Sequence, residues 1–526
     1  MKSKINILIA VLTLTLVSCF ENKIVYDTEN LEFRTMEFVA PIAKIHAPLY
    51  GTLIKELKDF DGSIEIIEID GQRLICVKYY ETHIIEWSDE IGFRGAERTF
   101  EVPVVTAGSG LITGSKSFPV HLYSSDDEEH SYVKVADLIG NGKLEFSVNA
   151  SNLAGVITLT IHELKNKNGQ SFSKQLYLSS GQSYNVSATD LDGYRIATDN
   201  NHNLNVIVDI SVSGMTPGVS LSKLDVRFIL PDMDISYMSG YFGQIDSEET
   251  GEMTFDFLEE LDFNGTVGFK NILIDAVANN WAGVPIKVTG DFFFDNEAKP
   301  IAVEPALDFI VTAAPNEGNM AVNSFTTKIP KKEFVSGNYP SGLLYKVKAK
   351  TNPGGNPNND VTNFIIKKDD DILANVDFTL TVPLDIKVEA YSRKDTIDFD
   401  YNKLVGNRDD YVNNVEYMYI NLLVDNGLPF DVALEVTAIN KSDFRSRITI
   451  CEIIANKKDQ RIKIELTENQ LKDFRINEVK YIEIKSISNT NSTNKNEDYV
   501  RVYENDYMDI DVSVNIKADL PSNIFE

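Results

Sequence analysis

Apolar and polar residues alternate along most of this chain, and the alternation predicts strands. The stretch Asn421 to Ala438 (NLLVDNGLPFDVALEVTA) reads as a strand, a turn through Asp425-Asn426-Gly427-Leu428-Pro429, and a second alternating strand. Two echoes lie upstream. In Ile272 to Phe294, Asn279-Asn280 and Gly283-Val284-Pro285 precede Ile286, Val288 and Phe292; in Leu144 to Ile161, Asn152 and Gly155 precede Ile157, Leu159 and Ile161. Three such units predict a repeat architecture.

Each unit is expected to open with an apolar residue and a proline, at Phe118-Pro119, Leu230-Pro231 and Val382-Pro383, because proline suits the first position of a strand. Each is expected to close on a strongly alternating strand: Val206 to Val212, Val376 to Val382, and Ile510 to Ala518. One dry face and one wet face per strand mark antiparallel sheets. Leu520-Pro521 repeats the opening signal where a fourth unit would begin.

The N-terminal part reads differently. Tyr50 to Phe60 places Leu53, Ile54 and Leu57 on one helical face, and Ser63–Ile69 and Gln72–Tyr80 flank Asp70-Gly71, a two-residue hairpin turn. Thr467 and Gln470 form a capping box before a second short helix carrying Leu471 and Phe474. Asn352 to Asp360 and Asn489 to Asp498 read as exposed loops. The expected class is mainly β: tandem antiparallel β-sandwich modules in an elongated array, with a small α+β N-terminal domain. The expected boundaries are a leader at 1–18, a tether at 19–40, the α+β domain at 41–117, and modules at 118–229, 230–381 and 382–526.

Composition agrees with a folded multidomain protein. At 526 residues the chain exceeds one hydrophobic core, and its apolar content of 43% with 28 Phe and 22 Tyr exceeds that of disordered chains. A net charge of −29 without a Lys/Arg cluster argues against nucleic acid, whose phosphates need cationic partners. Cys76 and Cys451 both sit in strand-like runs, where a free thiol behaves as a small buried hydrophobe; an exported chain would also allow them to pair.

Met1 to Ser18 is a targeting segment: Lys2 and Lys4 supply the charged start, Ile5 to Val17 the apolar stretch, and Ser18 a small residue before Cys19. Leu16-Val17-Ser18-Cys19 resembles the bacterial lipoprotein cleavage box, which implies lipid on the Cys19 thiol and attachment to a membrane. Phe20 stands where the enterobacterial inner-membrane retention signal has Asp, so the analogy favours the outer membrane, on its cell-surface or periplasmic face. With the N-x-G-[LV]-P turn and the strand after it, the chain is similar to a widespread type of Bacteroidota outer-membrane lipoprotein with repeated β-sandwich modules. The strand and proline-containing turn also resemble the sandwich of late-embryogenesis-type proteins. These resemblances imply architecture and location, not activity.

Candidate chemistry is sparse. The six His make no pair at helical ligand spacing, and no G-x-S-x-G nucleophile elbow occurs. Asp59-Phe60-Asp61-Gly62 and Asp190-Leu191-Asp192-Gly193 begin like calcium loops but lack the rest of the pattern, so they read as turns. Trp281, Tyr237, Tyr241 and Phe242 lie in or near turns, where they either fill a core or stack on a sugar; Trp281 and Tyr241 are the ligand-binding candidates. Asp395-Thr396-Ile397 resembles the Bacteroidota O-glycosylation motif, with Thr396 as acceptor. No catalytic residue, metal site or cofactor is expected.

The functional expectation is a non-enzymatic outer-membrane lipoprotein that binds or scaffolds envelope components. Its expected partners are the membrane, through the N-terminal lipid, and an outer-membrane barrel complex or another envelope protein. A carrier of lipid or another apolar ligand is one alternative, because Val415 to Val424 is apolar on nearly both faces and could line a groove. A surface glycan-binding protein is the other.

Overall fold

The computed structural model describes residues 35–519, except 58–59, 86–90, 108–109, 126–129, 180, 183, 215–220, 261–264, 356–362, 367–373, 399–414, 441–443 and 491–498. The chain is mainly β, and every strand ladder is antiparallel.

Three sandwiches share one strand order. In the first, a sheet of Ala96–Pro103, Lys223–Leu230, Lys143–Asn149 and Tyr184–Asp190 accompanies one containing Leu111–His121, Asn203–Gly214, Leu153–Lys165 and Ser171–Leu178. In the second, β3 (Gln72–Ile85), Ala374–Pro383, Thr266–Asn280 and Ala321–Val335 accompany Asp246–Thr254, Gly342–Thr351, Ile286–Phe294 and Leu307–Val311. In the third, β1 (Thr35–Pro48), Tyr507–Asp519, Val415–Asn426 and Lys457–Leu466 accompany Tyr391–Asp398, Tyr481–Asn489, Asp431–Ile439 and Arg445–Ile453. Period-2 alternation creates the cores: Val206, Val208, Ile210 and Val212 are buried, as are Val376, Phe378, Leu380 and Val382.

The N-terminal segment corrects the sequence reading. Residues 41–117 form no separate α+β domain, and residues 35–40, expected in the tether, already belong to β1. The segment is a strap that gives a strand to each sandwich in reverse order. β1 pairs with Tyr507–Asp519 in the third, β3 with Ala374–Pro383 in the second, and Ala96–Pro103 with Lys223–Leu230 in the first. In each case it covers the last strand of the sandwich, in the first Lys223–Leu230 and not the expected Val206–Val212, and the outer backbone groups of that strand would otherwise lie open.

Local signals fared well. The hairpin of β2 (Ser63–Ile69) and β3 turns at Asp70 (φ 55) and Gly71 (φ 75), the positive angles a two-residue turn requires. Helix α1 (Leu49–Glu56) buries Leu49 and Leu53, and the C-cap residue Leu57 is buried with them, while Ile54 is 44% exposed, so the apolar stripe runs four residues apart and leaves Ile54 out. The capping box is formed: Gln470 N–H donates to Thr467 Oγ1, and Thr467 N–H to Gln470 Oε1. The apolar-proline signals at 230 and 382 lie at the ends of closing strands instead of opening new units. Leu230 is the last residue of its strand and Pro383 of its own, where a missing N–H ends the ladder without loss. Pro119 lies within Leu111–His121, opposite Asn205. Leu520-Pro521 lies outside the described residues.

Candidate functional site

The turn that organised the sequence reading is a buried polar lock. Asn280, at the end of its strand, is fully buried; its Nδ2 donates to Val284 O (2.8 Å) and Thr312 O (2.9 Å), and its Oδ1 accepts from Ala282 N–H (2.9 Å). Asn426 repeats this in the third sandwich, with Nδ2 donating to Phe430 O (3.3 Å) and Ile454 O (3.1 Å) and Oδ1 accepting from Leu428 N–H (2.9 Å). Each amide thus satisfies backbone groups of two loops that a turn between sheets would otherwise strand.

Of the two loops expected to be exposed, residues 356–360 and 491–498 lie outside the described residues, and the first begins in a joint between sandwiches. Asn352 and Asn363 are buried and exchange side-chain amide hydrogen bonds of 3.0 and 2.9 Å. Asn352 Nδ2 also reaches Gly243 O, and Asn363 Nδ2 reaches Gly283 O. Asn363–Ile366 then pairs with Asp234–Tyr241, which pairs with Tyr132–Ile139, tying the second sandwich to the first. Gly283 is required here, because a Cβ would lie 2.2 Å from the Phe364 ring.

The joint between the second and third sandwiches is ionic. Val500–Arg501 pairs with Asp385–Glu389, Ile75 N–H donates to Val502 O, and Val502 N–H to Leu384 O. Arg501 reaches Asp70 (2.8 Å) and the largely buried Asp385 (3.3 Å), Lys270 stands 3.6 Å from Asp385, and Arg73 pairs with Glu504. Asp506, half-buried beside them, accepts from Tyr503 N–H, and burial pushes its carboxyl up to about 6.

The predicted residues are scattered. Cys19 lies outside the described residues. Trp281, in the Asn280 turn, is 39% exposed; Tyr241 and Phe242 are buried and Tyr237 is half-buried. The four rings therefore make no common sugar platform, and Tyr241, hydrophobic body inward, offers no face to a ligand. Thr396 is exposed, opposite Glu483. Asp190 Oδ1 accepts from Asp192 N–H, and Asp192 is held by Lys167 and Gly140 N–H, a turn whose carboxylate already has its cation. In the other calcium-like loop, Asp59 lies outside the described residues. Cys76 in the second sandwich and Cys451 in the third are free thiols, both pushed up to about 11 by burial.

Among the described residues no group of three or more His, Cys, Asp or Glu could hold a metal ion. An open cleft of about 540 Å³, lined by Ile139, Lys143, Glu145, Ile229, Asp232 and Asp234, offers mixed charge. No sequence signal had pointed to it, since its residues come from two segments 90 positions apart.

No protein-family model matches the chain, and no curated protein matches it. Among solved structures, it is similar to a protein from Parabacteroides distasonis predicted to be secreted, at 10% identity and a TM-score of 0.28, over 92% of this chain and 100% of that one. Infectious bursal disease virus, Gx strain, follows at 8% identity and 0.12, over 87% and 80%. Sulfolobus Turreted Icosahedral Virus gives 10% and 0.11, over 89% and 95%. Scores this low carry no argument about fold or function.

Proposed function

We propose that this chain is a lipid-anchored, non-enzymatic outer-membrane protein that scaffolds envelope components, an outer-membrane barrel complex among them. The observation that carries the reading is the strap. The first described strand after the lipobox is built into the third sandwich, so a lipid on Cys19 would hold all three sandwiches through that strand. Hydrogen-bonded joints then keep the sandwiches in fixed succession, which suits contact with partners. Labelled palmitate incorporation that survives Cys19→Ala would remove the anchor. Gentle-detergent pull-downs that recover no envelope protein would remove the scaffold, and protease shaving of whole cells assigns the membrane face.

The carrier reading loses support. Val415–Asn426 is a central strand whose Met418, Leu422 and Val424 close the core. An apolar cavity lined by Leu53, Leu57, Ile75, Val77, Phe257 and Phe269 measures about 20 Å³, room for roughly one water and not an acyl chain. Glycan binding retains one observation, the exposed Trp281 ring; absence of glycan-array binding by the parent would dismiss it, and binding unaltered in Trp281→Ala would take that ring out of the site.

A further inference from the structure

Val415–Asn426 lies in the middle of its sheet, between Tyr507–Asp519 and Lys457–Leu466. Because Met418, Leu422 and Val424 point inward, alternation turns Tyr417, Tyr419, Asn421 and Leu423 outward. The Tyr417 and Tyr419 rings are 4.6 Å apart. Lys517, opposite Tyr417, brings Nζ within 5.5 Å of that ring, and Lys463, opposite Asn421, brings Nζ within 3.2 Å of the Tyr419 ring. Val39 of β1, 66% exposed, shares this face through Asn515, and Leu423 is 38% exposed.

The face is polarised along its strands. Tyr417, Tyr419, Lys517 and Val39 gather at the Thr35 end of β1, whereas Asp425 and Asp509 occupy the other end, about 27 Å away at roughly 3.4 Å per residue. The register places Lys44, Arg461, Lys463 and Lys517 on it with Glu465 and Asp511 beside Asp425 and Asp509, so cations and carboxylates balance over the face while Lys463 and Lys517 stand at the tyrosine end and Asp425 and Asp509 at the other. The second sandwich supplies an internal comparison. Superposing Asn280 on Asn426 puts Asn271, Leu273 and Asp275 where Tyr417, Tyr419 and Asn421 stand, and Thr326 where Lys463 stands. At these equivalent positions the second sandwich thus carries neither an aromatic ring nor a lysine.

We propose that the Thr35 end of this face rests on an anionic bilayer surface. This deepens the anchored reading and rests on it. Tyrosine rings and lysines are the side chains that settle at the headgroup level, the ring bridging apolar and wet regions and the lysine reaching outward to phosphate. Thr35 is 16 positions beyond Cys19, so a fully extended connection spans at most about 55 Å and starts beside the tyrosines. The anchor therefore supplies a high local concentration of membrane to a face that is weakly attractive by itself.

The test uses the full mature chain carrying Cys19→Ala, so that no acyl chain contributes, sedimented with vesicles of phosphatidylcholine alone or mixed with phosphatidylglycerol. Binding should favour the anionic vesicles. Lys463→Gln with Lys517→Gln should weaken it by about 25-fold, at about fivefold per lysine. Tyr417→Ser with Tyr419→Ser should weaken binding to both compositions, and Leu273→Ser on the second sandwich should leave it unchanged. Absence of binding by the parent chain, or parental binding by the lysine pair, overturns the proposal even if the tyrosine pair fails to fold. Palmitate labelling at Cys19 is read separately, so loss of the anchor and loss of the face remain distinguishable.

Discussion

Replacing Asn280 by Ala removes a side chain with three buried partners: Val284 O, Thr312 O and Ala282 N–H, at 2.8 to 2.9 Å. Asn280 is wholly buried, so water cannot take over without opening the turn. A buried polar group left unpaired costs about 1–3 kcal/mol, and three such groups with partial relaxation give about 3–5 kcal/mol. With a urea dependence of about 2 kcal/mol per molar, the midpoint for the second sandwich should fall by about 2 M. Trp281 is the next residue, and the chain has 2 Trp, so fluorescence in a Trp87→Phe background reports this sandwich. Asn426→Ala should leave that Trp281 transition nearly in place while destabilising the third sandwich by a similar amount, the two sites being far apart. A midpoint for Asn280→Ala within about 0.3 M of the parent would mean that the amide is not what closes the turn.

Three further outcomes follow from the joints. Asp506 has a folded pKa of about 6, above its ordinary 3.8, so the folded state holds the proton more tightly. Its contribution is therefore greatest below about pH 4, declines between 4 and 6, and stays low above. Asp506→Asn keeps an oxygen for Tyr503 N–H and should gain about 1–3 kcal/mol at pH 7 with a flatter melting profile between pH 4 and 6; an unchanged profile refutes it. Arg501→Gln, which strips Asp385 of its closer cation, should cost about 1–2 kcal/mol and speed hydrogen exchange at Ile75 and Val502, and unaltered exchange there would count against the ionic joint. Gly283→Ala should displace Phe364 and lower stability by about 1–3 kcal/mol, detectable as earlier proteolysis between the first two sandwiches; parental resistance would show that the ring can swing aside.

Legibility followed range along the chain. The Asp70-Gly71 hairpin, the Thr467 capping box and the alternating strand at 510–518 were readable because each is determined by residues within a few positions of one another. Strand partnership was not readable: Thr35 pairs with Asp519, and no local pattern encodes a ladder across 484 positions. For the same reason Ala96–Pro103 read as part of a local domain, although its ladder is with Lys223–Leu230. The Asn280 and Asn426 turns were visible as turns, but the carbonyls their amides serve, at Thr312 and Ile454, belong to a distant loop. Proline marked strand ends correctly in chemistry and wrongly in direction, because a missing N–H suits either terminus.

The reverse threading of residues 35–103 sets an order on biogenesis. The earliest strand to emerge during synthesis waits for one of the last, with nearly the whole polypeptide made in between. Loop closure over such a span is slow, and an unmated strand is a liability in a crowded compartment. The N-terminal strands must therefore be kept from foreign sheets until their own partners have been made. A nonsense mutation near the C-terminus would orphan β1 and leave the third sandwich two strands short.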